Sequence, residues 1–527
     1  MPSRLYVVRT ALIVALGGFL MGFDASVISG VVKFIEPEFN LTKLQLGWSV
    51  SSLTLTATLA MMLSGPLSDR YGRRAILVLA SILYAVSAIA SAFAPSFWFL
   101  VVARMIGGLG VGASLIIAPM YIAEIAPPEM RGRMVSFNQL NIVLGITVAF
   151  FTNYLILQLA DSNAGWAQSL GFADNQWRWM LGLETLPAIL YFVGLFFVPQ
   201  SPRWLLMKGR TEEALPIMQM AVGNVAAMQE LSEIQKSMVK DEVQEKATVR
   251  DLFKPAMRLV ITIGVVVGVL QQITGINSVF FYAPTIFEQS GIGTDASFVQ
   301  AILVGVINLV FTLAAIALID RLGRKPLLIF GLTGITIAMM ILAYGFGQAT
   351  YTLTPEATGV VAENAAALQP LMGQTFDSDV AFKGALQSAI GEQAATELEA
   401  PLLTAAITMN PMLILFGILG FVASFAISIG PVMWVLFSEM FPTRIRGLAI
   451  SFVGLINSAV SFLVQLVFPW ELATLGSSMT FLIYGVFAAL GLVFVLLVVP
   501  ETKGKSLEEL EAQLVRTPGA SLSATPI

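Results

Sequence analysis

The sequence contains no cysteine and no histidine, and only 12% of its 527 residues are charged. Without cysteine there is no disulfide framework, no iron–sulfur cluster and no thiolate nucleophile. Without histidine, the usual proton shuttle near neutral pH and the commonest metal ligand are both missing. Any proton chemistry must therefore use Asp, Glu, Lys, Arg or Tyr. The net charge of −4 is small and argues against nucleic acid as a partner.

Apolar residues make up 57% of the chain, and the mean hydropathy is +0.82. A soluble chain of this composition would expose far too much apolar surface to water. A stretch of about 20 apolar residues is long enough to cross a bilayer as a helix. Such stretches lie near 10–31, 47–67, 75–94, 97–121, 134–158, 178–198, 257–288, 298–319, 326–347, 411–438, 447–470 and 478–499. The predicted fold class is therefore an all-α membrane protein with twelve transmembrane helices, and the lipid bilayer is its expected partner.

Lysine and arginine concentrate in every second loop. The basic loops are 70–74, 126–133, 321–325 and 444–446, whereas the alternate loops hold only Lys33, Lys43 and Lys383. Cytoplasmic loops carry an excess of Lys and Arg. We therefore expect a multi-pass protein of the cell inner membrane with both termini in the cytoplasm.

Short motifs repeat between the two halves of the chain. Asp69–Arg74 (DRYGRR) recurs as Asp320–Lys325 (DRLGRK), and Glu124 with Arg131 recurs as Glu439 with Arg446. The repeat predicts an N-terminal six-helix half at 1–198, a cytoplasmic linker with short helices at 199–256, a C-terminal half at 257–499 and a cytoplasmic tail at 500–527. Parallel halves of this kind are typical of transporters, with the substrate site between them near the middle of the membrane.

The second half is longer between its third and fourth spans, which predicts an extracytoplasmic insert at 348–409. Two interpretations stay open. The insert is either a poorly ordered or partly helical cap, or a module that docks a partner or captures the substrate.

The repeated charges lie where we expect the cytoplasmic ends of the helices. The glycine in each Asp-Arg-x-Gly motif permits a tight turn between two helices, and the charged residues can then bridge neighbouring helix ends. We expect a network that holds the cytoplasmic side closed while the outside is open. The alternative is that these arginines only set the topology. The gate residues predicted in this way are Asp69, Arg70, Arg73, Glu124, Arg131, Asp320, Arg321, Arg324, Glu439 and Arg446.

Three ionisable residues lie inside predicted spans: Asp24, Arg104 and Glu184. Charges within the membrane are costly unless they are paired or hydrated. Burial raises the proton affinity of a carboxyl group, and a nearby arginine lowers it. A carboxylate that pairs with Arg104 in one state and is exposed in another would alternate its proton affinity, as coupling requires. We predict this role for Asp24, with a static structural pair as the alternative, while Glu184 either tunes Arg104 or anchors the cytoplasmic half.

The seventh span carries three amides: Gln271, Gln272 and Asn277. Each amide offers both hydrogen-bond donors and acceptors, which suits the hydroxyl groups of a sugar. Gly275 and Pro284 make local unwinding plausible, and unwinding would turn the three amides toward one cavity. The alternative is that these groups only hold transmembrane helices together.

Longer motifs resemble the sugar porter family of the major facilitator superfamily, and most closely its bacterial proton-coupled pentose and hexose symporters. The resemblance covers nearly the whole chain except the insert. The matching segments are Gly18–Gly30 (GFLMGFDASVISG), Asp69–Arg74, Pro199–Leu206 (PQSPRWLL), Gln271–Pro284 (QQITGINSVFFYAP), Gly430–Pro442 (GPVMWVLFSEMFP) and Pro500–Ser506 (PETKGKS). Gln200 departs from the pattern, because the family has a glutamate there.

The resemblance implies a major facilitator fold and a set of residue roles. It implies sugar hydrogen bonds from Gln139, Gln271, Gln272, Asn277, Asn308 and Asn457. It also implies contact between a sugar ring and Trp434, a gating role for Tyr282, and a place for Arg203 in the cytoplasmic gate. In the symporters that the chain resembles, the Asp at position 24 is the group that takes the proton.

The expected function is therefore proton-coupled monosaccharide symport by alternating access. A proton-independent facilitator is the first alternative, and a membrane sugar sensor that does not transport is the second. We expect no enzyme activity, no cofactor, no bound metal and no obligate protein partner.

Overall fold

The computed structural model describes residues 4–243, 248–354, 365–442, 444–505 and 509–510. The remaining parts of the predicted insert and tail, 355–364, 506–508 and 511–527, lie outside the described residues. The first half of the chain forms α1 (Arg4–Glu38), α2 (Lys43–Tyr71), α3 (Arg73–Ala92), α4 (Phe97–Ile125), α5 (Pro128–Ala160), α6 (Gly165–Ser169), α7 (Gln176–Gly182) and α8 (Thr185–Leu195).

Short helices follow in the predicted linker. They are α9 (Pro202–Met207), α10 (Thr211–Val222), α11 (Asn224–Val243), α12 (Val249–Leu252) and a 3₁₀ turn at Pro255–Met257. Trp204, Leu206 and Met218 form an apolar cluster among them. The linker also contacts the first half directly, because the Trp204 indole N–H donates to the Asp69 carbonyl at 3.1 Å.

The second half opens with α13 (Arg258–Ile273), α14 (Ile276–Glu288), α15 (Thr294–Leu322) and α16 (Arg324–Gly347). It closes with α21 (Pro411–Ile427), α22 (Ile429–Met440), α23 (Arg446–Thr474) and α24 (Gly476–Leu497). The two halves meet where α2 packs on α23, α5 on α15 and α1 on α14. The chain is thus an all-α membrane protein in its spanning part, as predicted.

The elements between α16 and α21 form a small unit of their own. They are β1 (Thr350–Thr352), α17 (Ala365–Leu368), a 3₁₀ turn (Gln369–Leu371), β2 (Thr375–Phe376), α18 (Asp379–Ile390), α19 (Glu392–Glu397), α20 (Glu399–Ala406) and β3 (Ile407–Thr408). The strands make an antiparallel sheet in the order β2-β1-β3, with Tyr351 opposite both Phe376 and Ile407. Tyr351 stacks on Phe382 with ring centroids 5.5 Å apart. We call residues 348–409 the insert.

Eleven spans in the described part of the chain are long and apolar enough to cross a membrane. The other predicted span, 178–198, is present as α7 and α8. Between them the backbone N–H groups of Glu184 and Leu186 donate to carbonyls three residues earlier rather than four. Leu183 and Glu184 keep right-handed helical backbone angles. The sixth span is therefore a helix tightened locally into a 3₁₀ turn, a distortion that often marks a functional hinge.

The membrane faces can be named from the structure. The basic side carries the α2–α3 turn at Gly72, the α15–α16 turn at Gly323 and helices α9–α12. Both glycines have φ near +100°, a conformation that other residues rarely adopt. The insert side is the opposite face, where the insert covers the ends of the spans.

Candidate functional site

The seventh span breaks at Gly275, as predicted from the sequence. Gly275 has φ +90° and ψ 16° and separates α13 from α14. A side chain there would be strained, because a Cβ atom would also lie 2.4 Å from the Tyr484 ring. The break redirects the chain between Gln272 and Asn277, so that the amides of both segments can reach the same place.

Four amides meet at this break, and we call them the amide cluster: Gln271, Gln272, Asn277 and Asn457. Asn277 donates to the side-chain oxygen of Gln272 at 2.8 Å. Asn457, from α23, donates to the side-chain oxygen of Gln271 at 2.8 Å. Gln272 donates to the oxygens of Gln271 and Asn457 at 3.2 and 3.3 Å. The cluster therefore offers donors and acceptors from two spans at one position in the second half.

A second broken span contacts the cluster. Ser428 has φ −128° and ψ −105° and separates α21 from α22. The Gln271 side-chain amide donates to the Ile429 and Gly430 carbonyls at the start of α22, at 3.4 and 3.1 Å. Trp434 follows on α22, nearer the basic side, and is 46% exposed. Its ring meets Phe437 edge to face, which leaves a broad aromatic surface accessible.

The other predicted sugar ligands lie apart from the cluster. Gln139 is exposed in the basic-side part of α5, and Asn308 is buried on α15. No described hydrogen bond joins either residue to the amide cluster. Tyr282 is buried on the insert side of the cluster, and its non-helical backbone kinks α14. Its hydroxyl donates to the Gln465 carbonyl at 3.2 Å.

Three polar residues that we did not predict extend the cluster toward the first half. Asn277 also donates to the Ser461 hydroxyl at 2.7 Å, and Gln465 donates to the same hydroxyl at 2.8 Å. The Thr54 hydroxyl of α2 donates to the Gln465 side-chain oxygen at 2.9 Å. Asn457, Ser461 and Gln465 are spaced by four residues and so share one face of α23. That spacing was the available signal in the sequence.

Asp24 and Arg104 are buried together in the first half. Asp24 Oδ1 lies 3.3 Å from an Arg104 guanidinium nitrogen, and both residues are about 1% exposed. The guanidinium also donates to the carbonyls of Ser49 and Asp24 at 3.0 and 3.4 Å. The second carboxylate oxygen of Asp24 has no hydrogen-bond partner among the described residues. A buried oxygen without a partner is costly when it is charged, so this oxygen is a suitable place for a proton.

Glu184 lies in the tightened turn of the sixth span and is 2% exposed. Its carboxylate is close enough to Asp24 and Arg104 to interact with both electrostatically. One of its oxygens, Oε1, also lacks a hydrogen-bond partner among the described residues. The three ionisable residues predicted inside the spans therefore form one buried group, with two carboxylates and one guanidinium.

The predicted gate residues of the first half form a network at the basic side. Arg73 binds Asp69 at 2.8 Å and Glu124 at 3.0 Å. The Ser201 hydroxyl donates to Glu124 as well. Arg131 does not pair with Glu124 and instead lies 4.0 Å from Glu230 of the linker. The network thus joins α2, α3, α4 and the start of the linker within one half.

The second half repeats this network. Arg324 binds Glu439 at 2.6 Å and Asp320 at 3.1 Å, and the Thr502 hydroxyl donates to Glu439 at 2.6 Å. Arg446 donates to the Phe441 carbonyl at 3.1 Å. The sequence repeat is therefore a repeat of contacts, with Arg73 and Arg324 as the equivalent centres. Three further predicted gate residues have other positions: Arg203 is exposed, Arg70 lies over the Tyr71 ring, and the Arg321 carbonyl accepts a hydrogen bond from Lys503.

The described polar contacts between the halves lie in the insert-side part of the molecule. Lys33 pairs with Glu288 at 2.5 Å, Gln158 donates to Asp295 at 3.0 Å, and Thr54 donates to Gln465. The halves are therefore held together on the insert side. Among the described residues, no group of three or more Asp or Glu side chains is placed to hold a metal ion.

Comparison with known proteins agrees with this architecture. The family model "Sugar (and other) transporter" matches residues 10–367 and 392–514. The chain is 33% identical to the arabinose-proton symporter of Bacillus subtilis, with coverage of 96% of this chain and 94% of that protein. It is 35% identical to the D-xylose-proton symporter of Escherichia coli K12, covering 96% of this chain and 95% of that protein.

Its structure is also similar to the inward-open conformation of the xylose transporter XylE from E. coli. The TM-score is 0.74 at 33% sequence identity, and the match covers 96% of this chain and all of that one. The chain is a multi-pass membrane transporter rather than an enzyme. It belongs to the sugar transporter family of the major facilitator fold.

Proposed function

We propose that the protein is a proton-coupled monosaccharide symporter that works by alternating access. The observation that carries the proposal is the buried Asp24, which has one carboxylate oxygen on Arg104 and the other without a partner among the described residues. An ionisable residue inside a membrane is costly unless it is paired or hydrated, so a buried residue of this kind is a candidate for a functional role. Two relatives named as sugar–proton symporters support the same conclusion.

The amide cluster and Trp434 form the proposed sugar site. The cluster supplies paired donors and acceptors for hydroxyl groups, and the exposed indole suits the flatter apolar face of a sugar ring. Gln139 is exposed on the basic-side part of α5, where it can reach a sugar from the first half. Asn308 is the proposed ligand on the eighth span, and Tyr282 is the proposed gate on the insert side.

The proposed orientation follows the positive-inside rule: the basic side is cytoplasmic, in the cell inner membrane, and both termini lie there. The contacts between the halves on the insert side then correspond to an inward-facing state. In the opposite state the basic side closes. The two repeated arginine–carboxylate networks, together with Arg70, Arg131, Arg203, Arg321 and Arg446, are the proposed cytoplasmic gate.

Coupling follows from the two partners available to Asp24. When the carboxylate is unprotonated it binds Arg104, and a proton on its other oxygen neutralises it and weakens that attraction. Glu184 is the other carboxyl group of this buried cluster and is the proposed tuning residue of Arg104. Proton binding therefore changes which contacts fasten α1 to α4, and α1 is also one of the helices that meets the second half.

The test is a panel of sugars, including xylose, arabinose, glucose and galactose, with the purified protein in proteoliposomes. The proposal predicts that at least one sugar accumulates above its external concentration only when a proton gradient is imposed. Saturable uptake that ignores the gradient would identify a facilitator. Binding without any flux would identify a sensor, and either result would overturn symport.

A further inference from the structure

The few basic residues of the alternate loops converge in the structure. Lys33 and Lys43 flank the α1–α2 connection and Lys383 lies about 340 residues later, yet all three line one cavity of about 270 Å³ on the insert side. Each lysine faces a carboxylate there: Glu288, Glu36 and Glu399, respectively. The α1–α2 region and the insert have therefore contributed three compensated pairs to a single place.

The cavity lies where both halves and the insert meet. Its walls come from α1 and α2 of the first half, from α14 and α23 of the second half, and from α18–α20 of the insert. Tyr282 also lines it. From Tyr282, hydrogen bonds lead through Gln465 and Ser461 to Asn277 of the amide cluster. The cavity therefore lies between the insert side and the proposed sugar site.

The ion pairs and hydrogen bonds around the cavity join the first half, the second half and the insert. Lys33 binds Glu288 at 2.5 Å and joins the first half directly to the second. Lys383, on the insert, binds Glu399 at 2.9 Å and donates to the Gln289 side-chain oxygen at 2.8 Å. Gln289, at the end of the seventh span, donates in turn to Glu399 at 3.0 Å. Removing the Lys383 ammonium would leave Glu399 and Gln289 without their shared partner.

Glu399 also interacts electrostatically with Lys43 of the first half. Burial alone would raise the pKa of its carboxyl, but the ammonium groups of Lys383 and Lys43 outweigh burial and hold the pKa at about 2. The carboxylate therefore stays charged throughout the physiological pH range, so these contacts are not a proton switch. Lys383 lies in residues 368–391, the internal segment that the family model leaves unmatched. The family pattern therefore does not cover this lysine.

We propose that Lys383, Glu399 and Gln289, together with the Lys33–Glu288 pair, form the outer gate of the sugar path. The inference rests on the proposed function, because alternating access requires the insert side to open. Opening separates α1 and α2 from α14 and α23, which breaks Lys33–Glu288 and moves Glu399 away from Lys43. Partly exposed ion pairs are only modestly stabilising, so the gate can open. Lys383 acts as a positioning residue that holds the insert over the closed path.

The absence of cysteine makes the gate directly measurable. Asn163 on the first half and Leu475 on the second half are exposed on the insert side, and each can be replaced by cysteine and spin-labelled. Distances between the labels, measured by double electron–electron resonance in lipid nanodiscs, report separation of the halves on that side. Lys383→Gln is expected to raise the population with the longer distance by about threefold, the change typical of losing a partly exposed pair.

Controls distinguish the gate from damage to the fold. Lys383→Arg keeps the charge, and Asp377→Asn removes a charge from an exposed insert residue outside the cavity; both should leave the distances as in the unmodified chain. Glu399→Gln removes the other partner of the same ion pair and should raise the population with the longer distance as well, even if Lys383→Gln proves unstable. Distances that stay as in the unmodified chain in both Lys383→Gln and Glu399→Gln would overturn the gate. Since the distances need no transport, failure of the gate and failure of symport are separate results.

Discussion

At the scale of single residues, the two halves differ at one informative position. Glu501 accepts hydrogen bonds from the backbone N–H groups of Arg324 and Lys325 at 3.1 and 3.0 Å, where α16 begins. Its counterpart in the first half is Gln200, whose side chain packs against Gly72 as Glu501 packs against Gly323. The Gln200 side-chain oxygen is buried without a hydrogen-bond partner among the described residues. A carboxylate suits the start of a helix better than a neutral amide, because free N–H groups point there.

Gln200→Glu is therefore expected to stabilise the protein. A new hydrogen bond to a charged group contributes about 1–2 kcal/mol, and the thermal midpoint in detergent should rise by about 2 °C. Glu501→Gln is the matched opposite change and should lower the midpoint. A lower midpoint for both variants would show that the two positions are not equivalent.

The same contacts predict a dependence of stability on pH. Burial acts to raise the pKa of Glu501, but the backbone N–H groups of Lys503, Arg324, Lys325 and Thr502 outweigh it and lower the pKa. A lowered pKa in the folded state means that the stabilisation is complete above the ordinary pKa of a glutamate and is lost as the pH falls through the folded-state pKa. Thermal midpoints measured between pH 7 and pH 3 should fall less steeply for Glu501→Gln than for the unmodified chain. Parallel curves would contradict the assignment.

At the scale of elements, the sequence predicted the spans and the break that forms the amide cluster. Gly275 and Pro284 marked the break, because glycine permits a left-handed backbone conformation and proline has no backbone N–H to donate within a helix. The tightened turn at Glu184 was not predicted, since the residues around it form one continuous apolar stretch. The sheet of the insert was also missed, because its strands are only two or three residues long and pair with strands distant in sequence.

Contacts between distant segments were the least predictable features. The sequence showed Lys33, Lys43 and Lys383 as isolated charges, and only the packing of the insert brings them to one cavity. Likewise, Glu124 and Glu439 were expected to act with Arg131 and Arg446, but Arg73 and Arg324 bind them. Spacing along a chain identifies charged helix ends, but it does not say which neighbouring helix faces them.

The broken seventh span gives the prediction at this scale. Gly275→Ala places a side chain at φ +90° and a Cβ 2.4 Å from the Tyr484 ring. The backbone strain alone costs about 1–3 kcal/mol, and the amides on either side of the break should lose their alignment. Sugar affinity, measured by calorimetry, is expected to fall at least tenfold. Gly447→Ala is the control, because a Cβ there meets no atom of the described residues within 4 Å; equal affinity in the two variants would contradict the role of the break.

At the scale of the whole molecule, the contacts describe a transporter held shut on one side. The outer gate joins the halves on the insert side, while each arginine–carboxylate network fastens helices within its own half on the basic side. The proposed proton group lies in the first half and the amide cluster in the second. Transport therefore depends on communication between halves that touch mainly through α1, α2 and α5 and their partners α14, α23 and α15.

The most direct test of this account is concentrative sugar uptake by proteoliposomes under an imposed proton gradient, comparing the unmodified chain with Asp24→Asn. The substitution keeps the size of the side chain and removes its titratable proton. Asp24→Asn is expected to exchange sugar across the membrane in counterflow but to lose accumulation above the external concentration. Accumulation by Asp24→Asn equal to that of the unmodified chain would show that the proton is carried elsewhere, and the central claim would be wrong.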